Sequence, residues 1–297
     1  MDGIGIGPGG EGVGLEWGTE ITKKVILCCP TISHPHPRTL EWLEEAIPHL
    51  HEAGWEEGIV FEIGCPYISA ARNKMLRKAL DQKPGVIVFL DHDVSAAPKD
   101  LLTLVETPGD VVCGTYRFKK DEEEYMGLLM DDPVTHRPIV REDGCIRAEL
   151  IPAGFLKITP KAVDKFMIKH PRLCFGPQYR QEVDLFNHGV ENGRWYSEDY
   201  AFSRHWLETG GDIWIVPTLQ IDHHDKDKCF KGNFHEFLLR CPGGSKHQKE
   251  HYDVEIKGGL DGATVRSGIK QGKKDRHAGK ARLGKTGNSR HQPRSQA

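Results

Sequence analysis

The residues best suited to chemistry stand at 91–93, where Asp-His-Asp follows the apolar run 86–90, "VIVFL". Two carboxylates one residue apart repel each other, and burying either alone costs on the order of several kcal/mol. In extended chain, residues i and i+2 share a side, so Asp91 and Asp93 are expected to converge while His92 faces away. Oxygen donors so gathered suit Mg²⁺ or Mn²⁺, held partly by protein and partly by a substrate diphosphate. The plain alternative is a solvated turn, since Asp is common after strands. A second acidic pair, Glu198 and Asp199, follows Ser197 at the start of a helical pattern. The helix dipole favours acids there and is expected to keep Asp199 ionised, the state a general base needs. Arg72 and Asn73 open another helix, where a guanidinium can meet phosphate or sugar hydroxyls, or else simply face solvent. Trp195 and Tyr196 offer rings that stack on a sugar or pack into a core.

These groups need a frame, and the hydrophobic pattern supplies one. Apolar runs in "KKVILCCPT", "GIVFEIG", "GVIVFLD" and "GDVVCGTY" read as strands. Between them, "PHPRTLEWLEEAIPHLHEAG", "SAARNKMLRKALDQ" and "APKDLLTLVE" read as helices. The first carries Leu40, Leu43, Ile47 and Leu50 at helical spacing, and Ser69 is placed as the cap of the second. Strands alternating with helices imply a mostly parallel sheet covered on both faces, with ligands outside the carboxyl ends of the strands. Residues 118–158 change to short strands with polar turns, hence a small mixed or antiparallel section. Helices at "TPKAVDKFMI" and "SEDYAFSRHWLETGG" and a strand at "DIWIVP" follow.

The chain has 297 residues and a net charge of -3, which hides an asymmetry. Residues 243–297 carry 13 Lys/Arg against 5 Asp/Glu, and the remainder 27 against 38. This end lacks apolar periodicity and reads as a disordered basic tail, able to meet an anionic partner or none. Residues 1–22 read as a flexible Gly-rich lead-in. Gly5–Gly10 formally matches GxGxxG, but no strand precedes it and Pro8 interrupts it, so no dinucleotide site is expected. Residues 23–242 are left as one domain, with a nucleotide-binding half over 23–117 and an acceptor-side half over 118–242. No apolar run reaches the ~20 residues of a membrane span. The eight cysteines form no CxxC pair, which suits a reducing, cytoplasmic setting.

The order "AARNKMLRKAL", "VIVFLDHDVSAAPKDLLTLV", "DVVCGTYRFKK", "IPAGFLKI", "YSEDYAFSRHWLETGGDIWIVP" and "HDKDKCFKGNF" resembles the A-type-fold glycosyltransferases, nearest their Anp1/mannan-polymerase-like and phage-encoded groups. The similarity spans about residues 24–235. It implies a Rossmann-like three-layer α/β/α fold and a nucleotide-diphospho-sugar donor. On that resemblance Asp93 binds the metal, while Asp91 contacts the nucleotide ribose or the same ion. His224 is the third metal ligand, with His223 as the competing choice. Pro30 and Thr31 meet the nucleotide base, and Arg72, Asn73 and His92 the rest of the donor. Asp199 is the base, or an acceptor-positioning group, and Glu198 helps orient the acceptor. Gly154 and Phe155 shape the acceptor side, Gly because backbone must approach a sugar closely, with Trp195 beside them. The family usually has Gly where this chain has Lys226.

The function expected is transfer of a sugar from a nucleotide-diphosphate donor to an acceptor hydroxyl, with Mn²⁺ or Mg²⁺. The acceptor is left open among glycan, protein, lipid carrier and modified DNA base. Two alternatives stand beside it. One is a nucleotidyltransferase, disfavoured because "TISHPHPRTL" lacks a Gly-rich basic loop; the other is a catalytically silent sugar- or nucleic-acid-binding module.

Overall fold

The computed structural model describes residues 22–191 and 193–241. The expectations for the lead-in and the basic tail lie outside the described residues, Thr22 excepted.

The elements run β1 (Lys24–Thr31), α1 (Pro37–Glu52), β2 (Glu56–Ile63), α2 (Ile68–Leu80), β3 (Val86–Leu90), β4 (Val94–Ala96), α3 (Asp100–Glu106) and β5 (Val111–Cys113). Then follow β6 (Leu128–Leu129), β7 (Ile146–Leu150), β8 (Phe155–Ile158), α4 (Pro160–Lys169), β9 (Cys174–Phe175) and β10 (Glu182–Val183). The last are β11 (Gly189–Glu191), β12 (Arg194–Tyr196), α5 (Glu198–Glu208), β13 (Trp214–Ile215), β14 (Ile221–His224), β15 (Cys229–Phe230) and α6 (Phe234–Arg240).

An eight-stranded sheet in the order β2-β1-β3-β8-β5-β13-β7-β6 forms the centre. Strands β2, β1, β3, β5 and β13 point one way, while β8 and β7 run against them. All five residues of β3 are buried, as a strand covered on both faces requires. On one face α1 and α3 cover it with Trp42, Leu43, Leu50, Leu101 and Leu104. On the other, α2, α4 and α5 contribute Met75, Leu76, Phe166, Phe202 and Trp206. This is the expected three-layer α/β/α arrangement with a mostly parallel sheet.

The antiparallel strands join the same sheet: β8 inserts between β3 and β5, so residues of the two expected halves share it. Two details differ from the sequence reading. Inside α1 the buried face is Thr39, Trp42, Leu43, Ala46 and Leu50, leaving Leu40 exposed, because the ring of Trp42 sets the packing face. Helix α2 starts at Ile68 with Tyr67 at its N-cap, so Ser69 lies inside the first turn, buried, and caps nothing. No described helix is long and apolar enough to cross a membrane.

Candidate active site

The carboxyl ends of β1, β3 and β5 and the start of α5 meet at one place, and the Asp-His-Asp segment is its hinge. Residues 91–93 form a turn, with the Val94 N–H donating to the Asp91 carbonyl at 3.2 Å. The two carboxylates therefore diverge, against the expectation built on extended chain. On Asp91, Arg72 Nη2 donates to Oδ1 at 2.6 Å and the Tyr116 hydroxyl donates to Oδ2 at 3.0 Å. Asp93, the less exposed of the two, instead pairs through Oδ2 with the Lys119 ammonium, with His223 Nε2 at 3.7 Å from Oδ1. Burial pushes the Asp93 carboxyl up, but Lys119, His92 and His223 together bring it below its ordinary value.

Arg72 is the hub. It is 2% exposed, and its other arm donates from Nη1 to Glu198 Oε1 at 2.5 Å. One guanidinium thus ties β3, through Asp91, to the first turn of α5. Burial alone disfavours its charge, yet Asp91, Glu198 and Asp199 hold its pKa above the ordinary range. A buried charge survives only when paired in this way. Asn73 faces elsewhere: its amide donates to Asp184 and its oxygen accepts from the Phe186 N–H, anchoring the 184–187 segment rather than pointing into the cleft.

Gly154 is needed at its position, though not for the reason expected. A Cβ there would lie 2.1 Å from the Tyr116 hydroxyl and 2.3 Å from Asp91 Oδ2. The close approach that excludes a side chain is thus to the Asp91–Tyr116 hydrogen bond. Its carbonyl accepts from the Asp91 N–H at 2.9 Å, holding the carboxylate in place. Phe155 is fully buried and packs edge-on against Trp42, with ring centroids 5.7 Å apart, so it meets no acceptor. Being next to Gly154 on a strand, it must point to the opposite face, into the core.

Glu198 and Asp199 do open a helix at Ser197, but the helix dipole does not dominate. Burial, then the neighbouring Glu198 charge, pushes Asp199 up to about 6, against hydrogen bonds from the Ser197 hydroxyl and the Tyr200 N–H. Asp199 is therefore a carboxylate whose proton affinity lies near neutrality, as a general base requires.

His223 and His224 divide as alternate strand residues do. His224 accepts or donates at Nε2 with the Ser95 hydroxyl at 2.8 Å and stacks on His36, centroids 4.7 Å apart. His223 instead packs edge-on against Tyr116, and its Nδ1 meets the Arg117 carbonyl at 2.8 Å. A carbonyl only accepts, so Nδ1 carries the proton. Burial keeps the ring neutral, pushing its pKa down, and so leaves a lone pair on Nε2 toward Asp93. A lone pair facing a carboxylate across 3.7 Å has no hydrogen bond to make, and the two groups could hold a cation between them. A backbone carbonyl orienting the other ring nitrogen is the usual support of a metal-binding histidine.

Among the described residues no three His, Cys, Asp or Glu side chains gather as a metal group, so the expected set Asp91, Asp93 and His224 does not assemble. The residues fit a different arrangement, in which Asp93 and His223 supply two donors. Mg²⁺-type ions commonly accept one or two protein ligands and complete their shell with phosphates and water.

The remaining expected residues lie around this centre. Pro30 and Thr31 are buried at the end of β1, and the Thr31 hydroxyl has no partner among the described residues. The His92 carbonyl accepts from the His36 N–H at 2.7 Å, and its ring is part-exposed. Cys29 floors the site; burial, then Asp91 and Asp93, raise its thiol to about 12. Trp195 stands on the β11–β12 hairpin and is 64% exposed. Sequence reasoning assigned no role to Tyr116 or Lys119. Tyr116 sits in the Gly-Thr-Tyr segment after β5, a visible signal, while Lys119 carries none.

No family model matches the chain, and no curated protein matches it. Among solved structures it is similar to GalNAc-T7 with UDP, GalNAc and Mn²⁺ at 12% identity, covering 67% of this chain and 42% of that one, TM-score 0.40. It is similar to residues 1–349 of TarS from S. aureus at 12% identity, over 65% and 57% of the two chains, TM-score 0.37. A mannose-1-phosphate geranyltransferase from Thermus thermophilus shares 16% identity over 50% and 61%, TM-score 0.32. The chain spans roughly half the length of these structures, whose TM-scores are all below 0.5, and the site rests on its own geometry.

Proposed function

We propose that the chain is a glycosyltransferase of the A-type fold that moves a sugar from a nucleotide-diphosphate donor to an acceptor hydroxyl. The observation that carries the reading is the lone pair of His223 set against the Asp93 carboxylate at 3.7 Å, beside the Arg72–Asp91 lock at the strand ends. Asp93 and His223 would hold Mn²⁺ or Mg²⁺ with the donor diphosphate, and the ion supplies charge neutralisation to the leaving group. Lys119 brings a second positive charge to the same place. The orphan hydroxyl of Thr31 offers a polar contact to the nucleoside, and His92, with Nε2 4.0 Å from Asp93 Oδ2, is a further donor-side contact. Asp199 accepts the proton of the acceptor hydroxyl. Glu198 and Arg72 hold the start of α5 at its distance from the donor, so that the donor and acceptor groups stay in register.

The test is donor turnover and transfer in Asp199→Asn. Transfer is expected to fall by about 10²–10⁴-fold, the usual contribution of a positioned base, while nucleoside diphosphate affinity is unchanged. Equal loss of both would contradict the assignment of Asp199 as base.

A further inference from the structure

The Asp93 carboxylate already carries a cation of the chain's own. Lys119 places its ammonium on Oδ2, and His92 Nε2 lies 4.0 Å from the same oxygen. On the other side of the carboxylate, Oδ1 faces His223 Nε2 across 3.7 Å. A divalent ion between that pair and the ammonium on Oδ2 would share one carboxylate, and like charges so close repel.

Lys119 reaches Asp93 from a short, pinned turn. The Lys120 N–H donates to the Phe118 carbonyl at 2.8 Å, which puts Lys119 at the apex of a γ-turn. The Phe118 N–H donates to the Glu124 carbonyl at 3.0 Å and closes the turn behind it. Arg117 holds the base. Its backbone bridges to Tyr125, and its guanidinium donates to the carbonyls of Lys120 and Asp121 at 3.3 and 3.0 Å. The Arg117 carbonyl also accepts from His223 Nδ1 at 2.8 Å. Residues 117–119 thus touch both donors of the site, His223 through a main-chain carbonyl and Asp93 through a side-chain charge.

The two contacts differ in how easily they part. The Arg117 carbonyl belongs to a pinned backbone. The Lys119 ammonium ends a flexible stem, and its side chain is 31% exposed against 15% for Asp93. With no diphosphate present, an ion at Asp93 must push that ammonium into water or sit beside it, and either lowers the ion's affinity. A diphosphate offers the ammonium more negative charge than one carboxylate does. A compact, rotatable point charge such as Lys can follow it without the fixed fork geometry of Arg.

We propose that Lys119 gates the cation site: its ammonium holds Asp93 until a diphosphate draws it away, so that Mn²⁺ or Mg²⁺ is taken up with the diphosphate and not before it; this rests on the transferase reading above. Diphosphate and ion then raise each other's affinity by one shared factor, as linkage requires, and Lys119 supplies part of that factor.

The experiment measures Mn²⁺ affinity itself, by electron paramagnetic resonance of the free ion at about 0.15 M salt, where charges beyond about 8 Å are screened. The full chain is titrated alone and with UDP, GDP, CDP or ADP, corrected for Mn²⁺ chelated by free nucleotide, in wild type, Lys119→Met, Lys119→Arg and Lys120→Met. Without nucleotide, Lys119→Met is expected to bind Mn²⁺ at least about fivefold tighter than wild type, the lower end of usual coupling between ligands. The factor by which a diphosphate improves Mn²⁺ binding should fall by at least as much. Lys119→Arg keeps the charge and should gain no more than about twofold on the same scale. Lys120 controls for bulk charge, since it pairs with Glu124 and stands over the Phe118 ring at 5.3 Å. Its replacement should leave Mn²⁺ affinity near that of wild type. An unchanged or weaker Mn²⁺ affinity in Lys119→Met, or an equal gain in Lys119→Arg or Lys120→Met, would overturn the proposal alone, provided wild type binds a diphosphate with Mn²⁺. Wild type that binds none of the four diphosphates with Mn²⁺ would overturn the transferase reading and the proposal with it.

Discussion

At the scale of residues, the site consists of charges that would be unstable without one another. Arg72 satisfies two carboxylates at once, and removing it leaves Asp91 and Glu198 part-buried and unpaired. Arg72→Met is expected to lower stability by about 3–5 kcal/mol, the cost of breaking a buried pair from one side, as read by chemical denaturation. Adding Glu198→Gln to that variant should recover part of the loss. For Asp199 the folded pKa of about 6 exceeds the ordinary 3.8, so the fold holds the proton more tightly than the unfolded chain does. Ionisation therefore costs stability, by nothing below about pH 3.8 and in full above about pH 6. Asp199→Asn should melt above wild type at pH 7.5, and that gain should fade as pH falls toward 4. Transfer should have the opposite dependence, rising with pH through about 6 as the base ionises. Glu198→Gln should move that midpoint lower. The two histidines separate cleanly. His223→Ala should weaken Mn²⁺-dependent nucleotide binding by at least the 10–100-fold that even an outer-shell change costs, whereas His224→Ala should change it little.

At the scale of elements, the sequence disclosed the strands and helices better than the directions of their ends. The apolar run of β3 and the periodicity of α2 and α5 were plain. What periodicity could not reveal was the turn at 91–93, because an i, i+2 argument assumes extended chain. The Val94-to-Asp91 hydrogen bond rotates Asp93 away, and with it the expected convergence fails. The insertion of β8 between β3 and β5 was likewise illegible, since strand order depends on long-range pairing that no local pattern encodes. That insertion matters to the site, because it delivers Gly154 against Asp91. Gly154→Ala is expected to displace the Asp91–Tyr116 contact and to cost about 1–3 kcal/mol, as overpacking does, with weaker nucleoside diphosphate binding in parallel. On the same strand, Lys157 is buried and donates to the carbonyls of Val105 and Thr107, closing the C-terminal end of α3. Burial lowers its pKa to about 8 from 10.5. The fold binds this proton less tightly than the unfolded chain, so wild-type stability should gain from this group as pH rises from 8 to about 10.5. Lys157→Met should lack that gain, and denaturation of the two proteins across this range measures the difference.

At the scale of the whole molecule, a sheet covered on both faces brings the carboxyl ends of β1, β3 and β5 to one rim. The Asp-His-Asp turn, the Arg72 lock and the start of α5 all lie there, which is where ligands sit in open α/β sheets. The composition of residues 243–297 sets that end apart from the acidic remainder. We propose that it takes no part in donor chemistry, so a chain ending at residue 242 should keep its melting temperature and its donor hydrolysis. Loss of either on truncation would make the tail part of the working fold.

Binding of a nucleoside diphosphate tests the transferase reading most directly. Thermal melts of wild type and Asp93→Ala with UDP, GDP, CDP or ADP, each with Mn²⁺ or with EDTA, give the answer in one experiment. At a hundredfold excess over Kd, linkage adds about 2.7 kcal/mol, or about 5–10 °C for a domain of this size. One diphosphate should produce such a rise with Mn²⁺ and lose it in EDTA and in Asp93→Ala. A melting temperature unmoved by all four diphosphates, with Mn²⁺ present, would contradict the reading.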